Sequence, residues 1–494
     1  MIGRATGRNA RLLMAAMTAL ILEERGYFWW HGTPVPDTHF APEDSVTGLL
    51  KIADDGRVDL ELDGNLPSAM HPLDRMFAQN RALPKKLCIQ GRLKGNNDHV
   101  LLAGLVSNGS RVSTNGISYE TYLALHCLVG TGQFPGAAIP EKFKELKVHL
   151  DGLEEWVRLG AIECKKARSI KVKYAAPKDI TYALEDGRLR VVFDVMAPYA
   201  SQKHMSEITL KERASILYSP RRGITLDEVK KQFCLIEDLL ILLTGSEYCL
   251  DWPLVSFGPH KKTYRFYFLR HRSGAAAPSF HDCWTNFVQL RASFGDIFAA
   301  WRSKRELYGP GFYLYLGTRR GIRLYPEHRF VNLIWGIESL HRGREVTPAE
   351  PSALAKKIQR ILARIENTHD KKWLKGRLQN AHEPSLEQRI FETFKPLPLR
   401  FDDGRLRDFA KSCACMRNDI SHFGGQRQSN DYAEFLRTLE RHSSALSDLY
   451  ALRILLEIGV DPARLTWWVY EGFKSYPIKC NFVAVGLLPE SDLK

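Results

Sequence analysis

The sequence lacks the signatures of a disulfide scaffold, a zinc site and a membrane protein. Its nine cysteines are scattered from Cys88 to Cys480 without a CxxC pair, and Cys413-x-Cys415 has no second ligand pair at zinc spacing. Reduced, mostly buried thiols in a cytoplasm are therefore expected. The apolar run at residues 12–22 is shorter than the roughly 20 residues that a bilayer-spanning helix needs, so no membrane segment is expected.

The same run lacks the cleavage site of a secretory signal. Arg4, Arg8 and Arg11 precede it, as the charged region of a signal would. Glu23-Glu24-Arg25-Gly26 follows it and contains no small-x-small site. We therefore expect residues 1–23 to form an N-terminal helix, or simply an extension before the first domain.

The chain is basic and otherwise has the composition of an ordinary globular protein. Lys and Arg number 70 against 56 Asp and Glu, which gives a net charge of +14. This balance favours polyanionic partners such as RNA. With 494 residues the chain has room for about two to four domains whose cores need no disulfide or metal.

The N-terminal part shows the period-two alternation of β-strands. Val46–Ile52 and Val58–Leu62 flank Asp55-Gly56, a strong hairpin signal. Thr225-Leu-Asp-Glu228 resembles a capping box and predicts a helix over residues 225–243. Further strands are predicted at Lys86–Leu93, Val100–Val106, Ile117–Leu128, Ile170–Tyr174, Leu189–Val195, Ile208–Leu210, Leu250–Phe257 and Thr263–Leu269. This pattern favours an antiparallel sheet that is curved or barrel-like.

The C-terminal part shows the spacing of amphipathic helices. Apolar residues three and four apart run from Phe330 to Leu340, from Leu354 to Ile365, from Leu386 to Phe394, from Leu406 to Ile420 and from Tyr432 to Tyr450. Asp461-Pro462 predicts the start of another helix. Short connections between such helices are typical of an up-and-down bundle. The fold class is therefore α+β, with a β-rich antiparallel N-terminal domain followed by an all-α bundle.

One segment of the predicted bundle contains side chains that could catalyse a reaction. Arg417 and His422 stand five residues apart, just before Gly424-Gly425. Arginine can neutralise phosphate oxygens, and histidine can exchange a proton near neutrality because its unperturbed pKa is about 6.5. RNA brings its own nucleophile, the 2′-hydroxyl, so these groups suit RNA cleavage without a metal. Cleavage also needs both a base and an acid, which two copies of the motif across a dimer axis would supply.

Arg417-Asn418-x-x-x-His422 resembles the Arg-x(4 to 6)-His motif of HEPN ribonucleases. Phe330-Val-Asn-Leu-Ile-Trp-Gly-Ile-Glu338-Ser-Leu-His341 resembles the first HEPN helix of the ApeA-like branch. Arg25-Gly-Tyr-Phe-Trp-Trp-His-Gly32, with the hairpin around Asp55-Gly56, resembles the N-terminal domain that accompanies this bundle. The chain is thus similar to ApeA-like antiphage proteins, which act by abortive infection, from about residue 24 to 470.

The resemblance implies a domain order and a set of site residues. It divides the chain into an extension at 1–23, a β-rich domain at 24–300, an HEPN bundle at 325–475 and a tail at 476–494. It implies a cytoplasmic homodimer that cleaves RNA, with tRNA as a candidate substrate, once a phage-encoded trigger is present, without a cofactor or metal. Arg417 and His422 would be catalytic, and Asn418 and Glu338 would support them, with a structural role as the alternative for Glu338. Lys411 and Arg427 would contact the RNA, or else belong to a solvated face. The alternative is a non-catalytic HEPN scaffold that dimerises or binds RNA while the N-terminal domain acts as a sensor.

Overall fold

The computed structural model describes residues 19–37, 39–67, 87–111, 116, 118–134, 142–197, 207–257, 262–320, 324–344, 353–378, 383–423 and 431–493. The chain divides into two compact units. Unit 1 contains residues 1–237 and 249–274, and unit 2 contains residues 238–248 and 275–494. Among the described residues, no helix is long and apolar enough to cross a membrane.

Six strands of unit 1 close into an antiparallel barrel. They are β1 (Leu20–Trp30), β2 (Val46–Ala53), β3 (Val58–Leu62), β4 (Ile89–Leu93), β5 (His99–Arg111) and β6 (Tyr119–Gly130). The pairing runs β1-β2-β3-β6-β5-β4 and returns from β4 to β1. Alternate residues such as Phe28, Leu60 and Val100 are fully buried, because successive side chains of a strand point to opposite faces. The curved antiparallel sheet expected from the sequence is confirmed.

A second run of strands extends this sheet from β6. The remaining strands are β7 (Glu145–His149), β8 (Ile162–Lys166), β9 (Ile170–Tyr174), β10 (Ile180–Leu184), β11 (Gly187–Met196), β12 (Lys211–Pro220), β13 (Leu254–Phe257) and β14 (Lys262–Phe268). The order continues β6-β14-β13-β7-β12-β11-β10, while β8 and β9 form a separate hairpin. The strand β6 pairs with β3 through residues 120–124 and with β14 through residues 126–129. It therefore joins the barrel to the rest of the sheet.

Several short stretches of unit 1 differ from the sequence prediction. The strand predicted at Leu250–Phe257 begins only at Leu254, because residues 250–253 are irregular. Ile208–Leu210 are irregular, and the strand there is β12, which follows them directly. Residues 20–22, at the end of the apolar run, begin β1, whereas residues 1–18 lie outside the described part. Unit 1 also contains the short helix α1 (Glu154–Val157).

The helix α2 (Leu226–Thr244) begins with the predicted capping box. Thr225 N donates to Glu228 Oε2 at 2.7 Å, and Glu228 N donates to Thr225 Oγ1 at 3.3 Å. Two of the backbone donors at the helix start are thereby satisfied. Leu239, Leu240 and Leu243 are buried along its length.

Unit 2 is helical in its described part. Its helices are α3 (Phe287–Leu290), α4 (Phe294–Tyr308), α5 (Pro310–Gly317), α6 (Pro326–Arg344), α7 (Ala353–Ala363), α8 (Thr368–Arg377), α9 (Leu386–Phe394), α10 (Asp403–Phe423), α11 (Tyr432–Glu457), α12 (Pro462–Tyr470) and α13 (Ser475–Ala484). A 3₁₀ turn follows at Glu490–Leu493. The helices predicted from apolar spacing are confirmed as α6, α7, α9, α10 and α11. The Asp461-Pro462 start is confirmed at α12, where Asp461 Oδ1 accepts from Ala463 N at 2.9 Å.

The helix α6 lies at the centre of this bundle. Its residues Phe330, Leu333, Ile334, Ile337 and Leu340 are fully buried. They pack against α5, α9, α10 and α11, so α6 contacts helices on several sides. This arrangement fixes α10, which carries Arg417 and His422, against a well-packed core.

Candidate functional site

The candidate site is built on α10. Asp402 Oδ1 accepts from the backbone N of Gly404 at 2.9 Å and of Arg405 at 3.1 Å, which starts the helix. One face of α10 is buried against α9 and α6. The buried residues are Leu406, Phe409, Ala410, Cys413, Ala414 and Met416. Since this apolar stripe is anchored in the core, the opposite face must point outward.

Four residues form the outward stripe of α10. Lys411, Cys415, Asn418 and His422 are exposed and follow one another at spacings of four, three and four. At 3.6 residues per turn these side chains stand above one another on one side of the helix. Asn418 and His422 are therefore neighbours, one turn apart, and His422 lies in the last turn of α10. A phosphate near this stripe could meet both side chains.

Arg417 lies at the edge between the outward stripe and the core. It is partly buried, and its Nη1 donates to Asn418 Oδ1 at 3.2 Å. Its Nε is buried and has no hydrogen-bond partner among the described residues. Arg417 thus keeps donors for another acceptor. Because α10 is continuous from residue 403 to 423, positions 417 and 422 point about 140° apart.

A polar contact that the sequence did not indicate holds α10 against α11. Ser412 Oγ lies 3.2 Å from His442 Nε2, and His442 Nδ1 lies 2.9 Å from the carbonyl oxygen of Thr438. The Phe409 ring stacks on the His442 ring with centroids 5.7 Å apart. Burial lowers the pKa of His442, so the ring is neutral, with Nδ1 donating to Thr438 and Nε2 accepting from Ser412. This contact sits five residues before Arg417 on the same helix.

Glu338 takes part in an ion-pair network between α6 and the start of α9. Its Oε1 accepts from Arg342 Nη2 at 3.0 Å, and Arg342 Nη2 also lies 3.4 Å from Glu383 Oε2. Arg389 binds the same Glu383. The neighbouring His341 is buried and its Nε2 lies 2.7 Å from Glu392 Oε2. The contacts described for Glu338 therefore have a structural role, because they connect α6 to the segment that precedes α9.

The basic residues near the motif are partly engaged within the chain. Arg400 lies over the Tyr470 ring and Arg407 over the Phe391 ring. Arg437 and Arg441 both pair with Glu434. Lys411 is exposed on the outward stripe, whereas Arg427 and the two glycines after α10 lie outside the described residues.

Two further observations concern the aromatic residues of unit 1 and the possible metal ligands. Trp29, Tyr264, Phe266 and Phe268 are buried, so these aromatic residues belong to the core of unit 1. Within the described ranges, no three or more His, Cys, Asp and Glu side chains come together in a way that could hold a metal ion.

Comparison with protein families gives two matches that follow one another along the chain. Residues 23–301 match the family described as ApeA N-terminal domain 1. Residues 331–463 match the Apea-like HEPN family. Neither the curated proteins nor the solved structures that were compared contain a match. The first match spans more than half of the chain, and the second contains all of α10.

Proposed function

This chain belongs to the ApeA family, and we propose that its HEPN bundle is a metal-independent endoribonuclease that acts in antiphage defence. The observation that carries the proposal is the pair Arg417 and His422 on α10, within the segment that matches the Apea-like HEPN family. A protein that served purely as a scaffold would need neither group. The activity belongs in the bacterial cytoplasm, where its RNA substrates, tRNA among them, are found.

The reaction follows from His422 on the outward stripe and Arg417 at the edge of that stripe. One His422 imidazole takes the proton from the RNA 2′-hydroxyl, and the 2′-oxygen attacks the adjacent phosphorus. The bond to the 5′-oxygen breaks, and a second, protonated histidine supplies the proton to that leaving oxygen. The Arg417 guanidinium neutralises charge on the phosphorane, where the charge develops. The products are a 2′,3′-cyclic phosphate, or the 3′-phosphate formed from it, and a 5′-hydroxyl.

The continuous helix supports a site shared by two protomers. Arg417 and His422 point about 140° apart on α10, so one helix does not direct both at a single phosphate. Two copies of α10 across a two-fold axis would form a cleft with two arginines and two histidines. Asn418, which binds Arg417, would hold the guanidinium in place. Glu338 would act from α6 through its ion pairs, and Lys411 and Arg427 would contact the RNA backbone.

The proposal is tested with purified full-length protein, total bacterial RNA and tRNA in EDTA. Wild type should cleave and leave cyclic-phosphate ends. His422→Ala and Arg417→Lys should each lower the cleavage rate by at least about a hundredfold, because a proton-transfer group or a planar phosphate contact is lost. His369→Ala is the matched control, since His369 is an exposed histidine on α8 of the same unit.

A freely active ribonuclease would kill its host, so the resting protein is expected to be held inactive until infection. The same assay is therefore run with and without phage lysate. Cleavage by wild type that survives in His422→Ala would show that another group performs the reaction. Absence of cleavage under both conditions would favour the non-catalytic scaffold, in which the bundle dimerises or binds RNA.

A further inference from the structure

A row of residues crosses the outside of the barrel in unit 1. In the strand register Tyr27 of β1 is opposite Arg92 of β4, and Arg92 is opposite His99 of β5. Residues that are opposite each other in a sheet point to the same face. Their chain neighbours Phe28 and Leu93 are fully buried inside the barrel. The row Tyr27, Arg92 and His99 therefore lies on the outer face.

The segment after β1 brings a second aromatic ring to this row. The Phe40 ring meets the Tyr27 ring edge to face, with centroids 5.7 Å apart. The Arg92 guanidinium lies 4.1 Å above the Phe40 ring, and Lys94 Nζ lies 4.7 Å from the Tyr27 ring centroid. Tyr27, Phe40, Ala41, Ser45 and Lys94 line a cavity of about 560 Å³. Pockets of about 300 to 1,000 Å³ are the size that small ligands occupy.

The cations at this cavity keep their charge available. Lys94 lines the cavity, whereas Arg92 lies over the Phe40 ring and its Nη1 donates to the Phe40 carbonyl oxygen at 3.4 Å. Among the described residues neither Arg92 nor Lys94 forms an ion pair with a carboxylate. Burial, together with the charges of Arg92 and Lys262, lowers the pKa of His99 to about 4. Arg92 and Lys94 make this face positive, which disfavours a further cation.

The carboxylates at this end of the barrel are engaged or stand outside the cavity. Glu24 Oε1 accepts from Gly95 N at 2.5 Å, and Asp98 Oδ2 accepts from Asn96 Nδ2 at 2.7 Å. Glu43 and Asp44 are exposed and do not line the cavity. Two aromatic rings with Lys94 in the cavity and Arg92 behind the Phe40 ring form a combination that fits a ligand with a planar ring and an anionic group.

We propose that this cavity binds a nucleotide, with its base against Tyr27 and Phe40 and its phosphate on Lys94, while Arg92 behind the Phe40 ring adds to the positive charge of the site. The same chemistry is offered by a free nucleoside monophosphate and by one unit of single-stranded RNA. Because aromatic rings stack on any base, the site should bind nucleotides with little preference for the identity of the base. The Ser45 hydroxyl can bind a ribose or base edge. The site lies wholly within unit 1 and does not depend on cleavage by the bundle.

The test measures binding to full-length protein that carries His422→Ala, so that RNA is not consumed. The ligands are adenosine 5′-monophosphate, followed by calorimetry, and a fluorescent oligoadenylate of about 12 nucleotides, followed by anisotropy. Lys94→Glu should weaken binding at least about tenfold, because an exposed phosphate contact becomes repulsive. Phe40→Leu should weaken it about five- to tenfold by removing a stacking ring while keeping apolar volume.

Lys165→Glu is the matched control, because it makes the same charge change at an exposed position of β8 in the same unit. It should change affinity by less than about twofold. Weakening of monophosphate binding by Lys94→Glu would identify the free nucleotide as sufficient, and weakening of the oligomer alone would identify single-stranded RNA. The proposal is overturned if neither ligand binds, if Lys94→Glu leaves the binding of both ligands unchanged, or if Lys165→Glu weakens binding equally.

Discussion

Asp448 on α11 is a carboxylate in an environment that disfavours its charge. Asn481 Nδ2 of α13 donates to its Oδ2 at 2.7 Å. Burial raises the pKa of Asp448 to about 6, although Asn481 and the cations Arg319, Lys474 and Arg329 act in the opposite direction. Since its pKa in an unfolded chain is 3.8, the folded state holds the proton more tightly. Ionisation of Asp448 therefore lowers the free energy of unfolding progressively as the pH rises from about 4 to 6. Above pH 6 the free energy of unfolding stays lower by the full amount.

Asp448→Asn should accordingly stabilise unit 2 in a pH-dependent way. The amide keeps an oxygen that accepts from Asn481 and carries no charge. Relative to wild type, the free energy of unfolding of the variant should be nearly unchanged at pH 4 and higher by on the order of 2 kcal/mol at pH 7. Thermal unfolding at several pH values measures this difference. Asp408→Asn, at an exposed position of α10, should show no such trend, and an equal gain at pH 4 and pH 7 would contradict the explanation.

At the scale of single helices and strands, the features that the sequence predicted are those set by residues close together in the chain. The hairpin at Asp55-Gly56 follows from a glycine with φ of +82°, and the start of α2 follows from Thr225 and Glu228 three residues apart. The strand β12 did not stand out, because Ser215 interrupts its apolar pattern, and Ser215 forms a hydrogen bond with His149 on β7. Pairing between residues so distant in sequence leaves no local signal.

The same distinction applies to the candidate site. Arg417, Asn418 and His422 are neighbours in sequence, so the motif helix could be predicted together with its outward face. Ser412 and His442 are thirty residues apart, and their contact depends on how α10 packs against α11. Tyr27, Phe40 and Arg92 come from separate segments of unit 1, and strand register brings them together. Sites formed by tertiary packing escaped prediction for this reason.

The packing of α6 also rests on a glycine that its apolar spacing does not reveal. A Cβ at Gly336 would lie 2.5 Å from Tyr450 Oη of α11, and Tyr450 also donates to the Gly311 carbonyl of α5. Three helices thus meet at this point. Gly336→Ala should destabilise unit 2 by about 1–3 kcal/mol, because the clash outweighs a gain of about 1 kcal/mol in helix propensity.

Gly376→Ala in α8 separates these two effects. No atom of the residues that the structure describes lies within 4 Å of a Cβ at Gly376, so only the propensity gain is expected. This variant should be as stable as wild type or more stable by up to about 1 kcal/mol. Denaturant unfolding of both variants gives the comparison. If Gly336→Ala were as stable as Gly376→Ala, close helix approach would not be the reason for the glycine.

At the scale of the whole molecule, the divergence of Arg417 and His422 on one continuous helix bears on how many chains make one site. A cleft with two histidines, one as base and one as acid, needs both protomers intact. A site complete within one chain, or one that uses a single histidine, needs only the intact copy. The two arrangements predict different responses when wild type is mixed with an inactive partner.

Wild type co-expressed with a threefold excess of His422→Ala provides that measurement. If chains pair at random and both histidines are required, cleavage depends on the square of the wild-type fraction and falls to about one sixteenth. If each intact chain contributes independently, about one quarter remains. The matched control is wild type with a threefold excess of His369→Ala, which should retain full cleavage. A linear dependence on the wild-type fraction would overturn the two-histidine cleft while leaving the ribonuclease assignment intact.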